Sequence, residues 1–404
     1  MTLARISLYY LWRRRLSTGL NIALLAFGVA AVTLLVVTSR QLEERVYRDA
    51  RGIDLVVGAK GSQTQIVLSS IYQLDVPTGS VRWGDALEIS AHRGVQKAIP
   101  ISLGDNYYGF RVVGTTRDYI EHYDGTLSEG RFWHEPLEAV LGADVAARLR
   151  PRIGSTFVAT HGLFGASGEP HNQLPYRVVG ILARTGTVVD QLVLTDVASY
   201  WTLHGDQQKP LESALVAEPL VDEGRTVSAL LIQYASGGAA GDVARFANAY
   251  PSLQAASPAF ETARLFSIVA VGMDLLRGFA LVLLISAALS IFIALYHGLN
   301  ERRYDLAVMR TLGATRENIM SLLLFEGMLL AVVGAVLGLV LGHLLTSVLG
   351  FALRQAQQIS VTGWTWYGAE LWIVVLALIV GVLTALLPAW RAHEVDIAAT
   401  LARG

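Results

Sequence analysis

The chain of 404 residues contains no cysteine. That excludes disulfides, thiolate nucleophiles, and zinc or iron–sulfur sites built on Cys. Charge is also scarce. Asp, Glu, Lys and Arg make up 16% of the chain, against roughly 25% in ordinary soluble domains. Neither sign prevails: 32 basic and 33 acidic residues leave a net charge of −1, so the electrostatic footprint of a nucleic-acid binder is missing. A phosphate loop is missing too. Gly58-Ala59-Lys60-Gly61-Ser62 offers the right residue types, but the loop needs Gly, four residues, then Gly-Lys-Ser/Thr. Here glycine follows lysine. The five residues are expected to form a tight turn, and the chain is not expected to hydrolyse ATP or to bind a cofactor by itself. No standard zinc-ligand spacing occurs either. His161, His171 and His204, with Glu169, lie in and after a Gly-rich stretch. They read as loop histidines and no metal is assigned to them, with a metal role left open. Asp190, Asp196 and Ser199 form no triad with them.

What the chain has in excess is apolar surface. Hydrophobic residues are 53% and mean hydropathy is +0.44. Four runs are long and apolar enough to cross a bilayer. They cover residues 19–38, 275–296, 321–349 and 370–387, and Pro388 is expected to end the last one. Residues 1–18 are basic, with Arg5, Arg13, Arg14 and Arg15 among apolar residues. They suit a helix lying in the interface. The rival reading of residues 19–38 as a cleaved signal peptide fits less well, because the run is long and Val37-Thr38-Ser39 is a poor cleavage site.

Between the first and second spans the texture changes. Short β-rich runs such as Phe110 to Gly114, Tyr176 to Leu182 and Ala229 to Tyr234 alternate with helical patterns at Glu138 to Leu149 and Asp242 to Ala249. The expected architecture is an α-helical membrane protein with four spans and an α+β domain inserted after the first. Residues 39–273 make that domain, with helical stalks at 39–50 and 257–273. Arginine sets its side. The N-terminus and the 299–317 loop carry four each, and the 351–369 loop only Arg354. Both termini, including the 388–404 tail, and the 299–317 loop are then cytoplasmic, and the large domain lies outside. Gly363, Trp364, Trp366 and Tyr367 in the short outer loop suit the far interface.

The most specific stretch is Glu301 to His343. Leu306, Met309 and Leu312 recur every three residues, as on one face of an amphipathic helix. Leu312-Gly313-Ala314 interrupts it, and Thr315 is placed to cap the next helix, with Glu317 in its first turn. Glu326 and His343 are ionisable groups within an apolar run, Glu326 about a turn and a half inside. Gly334, Gly338 and Gly342 form a four-residue ladder for close helix packing, within one chain or between two.

The order Arg303-Tyr304-Asp305-Leu306-Ala307-Val308-Met309-Arg310-Thr311-Leu312-Gly313-Ala314-Thr315, then Ile319, then Glu326-Gly327, resembles the signature of MacB/FtsX-type ABC transporter permeases. Arg131-Phe132, Leu141 to Ala146 and Tyr176 to Gly180 are similar to the MacB-type periplasmic region, and Leu387-Pro388-Ala389-Trp390-Arg391-Ala392 to that family's C-terminus. The MacB transporter's fused N-terminal ATPase has no counterpart in these 404 residues, so a stand-alone membrane subunit is expected. The resemblance implies that Arg303, Leu306, Met309, Arg310, Leu312 and Gly313 form a coupling element on a separate cytoplasmic ATPase, with Leu306, Met309 and Leu312 filling its groove. It implies a transmission role for Glu326, set against a structural salt bridge to a loop arginine. It also implies ATP and Mg²⁺ on the partner subunit, a 2:2 complex as homodimer or with a related permease, and a bacterial inner-membrane location. The function implied is movement of the outer domains, driving export or extraction of a substrate outside the membrane with an adaptor or substrate protein there. The alternatives are signalling to a cell-wall hydrolase, and a membrane-anchored binding protein.

Overall fold

A computed structural model describes residues 3–162, 174–204, 224–357 and 361–393. The chain divides into two compact units, residues 1–43 with 269–404, and residues 44–268. It opens with α1 (Leu3–Arg13). Ile6 and Leu11 of this helix turn toward apolar clusters, while Leu8, Tyr9 and Trp12 stay exposed. Next comes α2 (Arg15–Ala50), 36 residues without a break. At 1.5 Å per residue it is about 54 Å long, well over a bilayer core.

The second unit is built on β-strands. Its first part comprises β1 (Leu55–Ala59), α3 (Gln63–Ser70), β2 (Val81–Arg82), α4 (Trp83–Ser90), β3 (Val95–Tyr107), β4 (Phe110–Thr115) and α5 (Arg117–His122). Then follow β5 (Leu127–Gly130), β6 (Glu138–Leu141), α6 (Ala143–Leu149), β7 (Thr156–Phe157), β8 (Thr160–His161) and β9 (Tyr176–Leu182). The unit closes with β10 (Val193–Asp196), α7 (Val197–His204), β11 (Thr226–Val227), β12 (Ala229–Tyr234), α8 (Ala240–Asn248) and β13 (Leu253–Ala256). One sheet runs β13-β1-β12-β3-β4-β10-β6-β9-β5, with β7 on β9 and β8 on β3, and β2 pairs β11 separately. Most pairings are antiparallel; β10 with β4 and β6 with β9 are parallel. The 13-residue β3 joins the halves, pairing β12 with its first part and β4 with its second.

The period of two explains the packing. Val56, Leu231, Val113, Val140 and Leu194 point into one core on one face of the sheet. Their neighbours Val57, Leu230 and Ile232 point into a second core, and Val112, Leu141 and Val193 into a third. The β3–β4 turn is tight, with Tyr108 and Gly109 both at positive φ (49° and 84°), the twist-matched hairpin geometry.

Two expectations are corrected here. Glu138 to Leu149 is not one helix. Glu138–Leu141 is strand β6, buried throughout between β10 and β9. Both faces of the strand are covered, so it lacks the alternation that marks a half-buried one. Gly142 then divides strand from helix: a Cβ there would lie 2.2 Å from the Val189 carbonyl oxygen.

The helices resume with α9 (Pro258–Glu301), α10 (Arg303–Thr311), α11 (Arg316–Gln357) and α12 (Ala369–His393). Together with α2, helices α9, α11 and α12 are long and apolar enough to cross a membrane. Leu25, Leu284, Ala287, Leu330, Ala331 and Ala377 share their core. The second correction is Pro388, which lies inside α12 rather than ending it. Proline forfeits a single amide donor. Ala389, fully buried beside Leu299, Leu306 and Leu322, keeps the helix packed past that point.

Candidate functional site

The link between α9 and α11 is held by backbone caps and by a buried ion pair. α10 lasts nine residues and ends in a Schellman cap. The Ala314 amide donates to the Met309 carbonyl (3.0 Å) and the Gly313 amide to that of Arg310 (3.1 Å). Gly313 stands at φ +101°, a conformation costly for any residue with a Cβ. Thr315 caps α11, its hydroxyl accepting from the Asn318 amide at 3.2 Å.

The faces of α10 differ from the sequence expectation. Leu306 is buried against Leu299, Ile319, Leu322 and Leu323 of its own chain, and Met309 packs on the same cluster. Of the three apolar residues only Leu312 is presented to solvent, at 83% exposure. This corrects the assignment of Leu306, Met309 and Leu312 to one outward stripe. Leu312 lies beyond the last helical residue, so a helical period no longer governs where it points. The exposed surface includes Arg303, Tyr304, Asp305, Thr311 and Leu312, with Arg310 at its edge.

Behind this surface lies a buried ion pair. Arg302 Nη1 donates to Glu326 Oε1 at 2.7 Å, and both side chains are nearly inaccessible. Arg302 also stacks on Tyr10 of α1, 3.9 Å from the ring centroid, and Tyr10 reaches Asp305 at 3.4 Å. Arg14 pairs with Glu301. Thus α1, the α1–α2 link, α9, α10 and α11 meet through polar and charged groups near one point. The loop arginine that Glu326 needs is Arg302, which the periodicity of the loop did not single out. The signal was present as a lone acidic residue in an apolar run with four arginines nearby.

The glycine ladder packs inside the chain. Cβ atoms at Gly334, Gly338 and Gly342 would come within 2.7, 2.5 and 2.6 Å of Leu25, Val29 and Thr33, all on α2. Gly327, next to Glu326, does the same for α12: a Cβ would lie 2.7 Å from the Gly381 carbonyl. His343 is also engaged. Its Nδ1 is 2.7 Å from the Gly363 carbonyl and its Nε2 2.8 Å from Glu370. Gln41 of α2 exchanges two bonds with Thr362, at 2.7 and 2.9 Å.

Within the second unit, the last turns of α2 and the first of α9 are tied in by polar groups. Asp49 Oδ1 accepts from the Val188 amide at 2.8 Å, and the Asp49 carbonyl from the Tyr123 hydroxyl at 2.7 Å. The Thr262 and Tyr72 hydroxyls bond at 2.7 Å, and Thr64 donates to Glu261 at 2.5 Å. Burial pushes the Tyr72 hydroxyl up to about 12, so it stays a protonated partner. Asp49, Glu261 and Thr262 were legible only as polar residues on otherwise apolar helix faces.

The remaining candidates separate. Ser62 caps α3, accepting from the Gln65 amide at 3.3 Å, so the Gly58 to Ser62 segment is a strand-to-helix turn. Asp190 accepts from the Thr185 and Gly186 amides and Ser199 bonds Thr195, which are turn-holding roles. His161 and His204 do come together, beside Asp105. His171 and Glu169 lie outside the described residues.

Comparisons with known proteins divide along the same lines. The model of the MacB-like periplasmic core domain matches residues 18–270, and that of the FtsX-like permease C-terminal matches residues 277–396. An uncharacterized ABC transporter permease of Methanocaldococcus jannaschii is 27% identical over 124 residues, 31% of each chain. The chain thus spans about a third of the length of that curated relative. Among solved structures, the periplasmic region of MacB from Actinobacillus actinomycetemcomitans has 10% identity and a TM-score of 0.35, covering 55% of this chain and 97% of that one. The extracellular domain of the noncanonic ABC-type transporter YknZ from Gram-positive bacteria has 12% identity and a TM-score of 0.32, covering 50% and 98%.

Proposed function

We propose, since this chain belongs to the family built on the MacB-like periplasmic core domain and carries the FtsX-like permease C-terminal part, that it is the membrane subunit of an ABC transporter. It is expected to bind no nucleotide itself. ATP and Mg²⁺ belong to a separate cytoplasmic ATPase, and two copies of each subunit form the complex in a bacterial inner membrane. ATP binding and hydrolysis move the outer domains, and a substrate is driven out or extracted on the outer side.

The observation that carries this reading is the construction of α10. Its inward face is locked to its own chain by Leu306, and a Schellman glycine holds Leu312 out in solvent. A short rigid element with one exposed apolar anchor among arginines suits a groove on a partner, since buried apolar anchors supply most interface energy and rim charges steer association. Motion imposed on α10 reaches α9, α11 and α1 through Arg302, Glu326 and Tyr10. α2 and α9 each supply residues to both units. Their far ends are bonded into the outer domain by Asp49, Glu261 and Thr262.

The test is co-purification of the ATPase subunit with Leu312→Asp, together with ATPase activity in membranes. A carboxylate buried unpaired in the groove should weaken association by about 2 kcal/mol or more. Full ATPase binding and normal function in Leu312→Asp and in a Tyr304→Ala, Leu312→Asp double variant would reject α10 as the coupling element.

A further inference from the structure

One group of ligand-type side chains in the outer domain takes no part in coupling. Asp105 lies in β3, His161 ends β8 and His204 ends α7. Asp105 and His161 are register partners across β3 and β8. The three donor atoms form a nearly equilateral triangle. Asp105 Oδ1 is 3.4 Å from His161 Nδ1 and 3.3 Å from His204 Nε2, and the two ring nitrogens are 3.4 Å apart. Ligands placed tetrahedrally around an ion at 2.0–2.1 Å are separated by roughly 3.3–3.4 Å. The triangle is therefore one face of a tetrahedron of zinc dimensions.

The surroundings hold each donor in place. Asn106, fully buried, donates to the Gly162 carbonyl at 2.8 Å and the Thr160 carbonyl at 3.4 Å, clamping the backbone on both sides of His161. His204 Nδ1 faces the Tyr200 carbonyl at 3.1 Å. The proton therefore belongs on Nδ1, and the Nε2 lone pair is turned toward Asp105, the tautomer arrangement found behind metal-bound imidazoles. The Tyr200 ring stacks on His204 at 4.3 Å. Residue 104 is glycine, and a Cβ there would stand 3.0 Å from the Tyr200 ring and 3.5 Å from His204. Asp105 is 3% exposed and the His161 side chain 59%, so the site is closed on one side and open on the other.

We propose that Asp105, His161 and His204 form a zinc-type binding site on the outer domain, with these three protein ligands among the described residues and a fourth position for water or a further small ligand. Two imidazoles favour a first-row transition ion over calcium or magnesium. The rival arrangement is a proton-bridged cluster, in which a histidinium replaces the ion.

The experiment uses the full chain in detergent, stripped with chelator, then titrated with Zn²⁺ against a chromophoric competitor and with Co²⁺ followed by visible absorption. The expected result is about one ion per chain, with the intense absorption of tetrahedral Co²⁺. His161→Ala and His204→Ala should weaken binding by more than about tenfold, and Asp105→Asn likewise. His134→Ala, at an exposed histidine elsewhere, should leave it unchanged. His161 is exposed, so its loss should not disturb folding, and that variant decides the case. Absence of Zn²⁺ binding at micromolar concentration, or binding unaltered in both His161→Ala and His204→Ala, would reduce the cluster to hydrogen bonds alone.

Discussion

A guanidinium and a carboxylate buried together commit the protein to keeping both. Removing one partner of such a pair leaves an uncompensated charge and costs roughly 3–5 kcal/mol, whereas replacing both with apolar residues of similar volume is often neutral or better. Glu326→Ala should therefore lower the unfolding midpoint of the detergent-solubilised protein sharply. Arg302→Met combined with Glu326→Met should recover most of that stability while transport stays impaired, because the polar link between the α9–α10 turn and α11 is gone. Recovery of both stability and transport would make the pair a structural brace only. A second carboxylate gives a pH signature. Arg131 and the His134 and Glu135 amides hold Glu138 down at about 2. A depressed carboxylate contributes stability fully above its unfolded value, roughly 4.3, and loses it as pH falls through the folded one. The outer domain should therefore weaken between about pH 4.5 and pH 2. Arg131→Met should remove much of that dependence, measured as unfolding midpoint against pH on the whole chain.

At the scale of elements, α10 and the glycine ladder make opposite demands on substitution. Leu306 faces the chain's own core and Leu312 faces out. Leu306→Asp should destabilise the protein by about 2–5 kcal/mol through a lost core contact and a buried charge. Leu312→Asp should leave the unfolding midpoint unchanged and affect only the partner. Equal loss of stability in both would contradict the two-faced helix. In the ladder, Gly338→Ala forces a methyl group against Val29 and should cost roughly 1–3 kcal/mol. Val29→Gly removes the Cβ that a methyl at 338 would meet at 2.5 Å and should relieve part of that cost, so the two changes should be non-additive. Strict additivity would mean that the glycine approaches some other surface, such as a second copy of the chain.

For the whole molecule the prediction is one of sidedness. The absence of native cysteine makes single-cysteine labelling clean. Glu129→Cys and Trp364→Cys, both at exposed positions, should react with an impermeant maleimide from outside the cell membrane. Thr311→Cys should react only after permeabilisation. Labelling of Thr311→Cys from outside would invert the arrangement on which the arginine count rests.

Patterns that depend on near neighbours were readable from the chain alone. Four apolar runs were long enough to cross a bilayer, and β-rich composition punctuated by Gly, Pro and Asp revealed β4, β9 and β12. The Thr315 cap and the Gly313 stop are interactions over three to five residues, so local spacing was enough to expose them. What tertiary structure decided involves partners far apart in the chain. Glu138–Leu141 became a strand because β9 and β10, whose paired residues lie 39 or more positions further on, take up its edge hydrogen bonds, while two cores cover its faces. Leu306 turned inward because α11 offers Ile319 and Leu322, which a helical period cannot register. Asp105 found His161 and His204 only when β8 and α7 folded onto β3. Chain periodicity encodes which face of an element is apolar; which charged groups that burial brings together depends on contacts it does not contain.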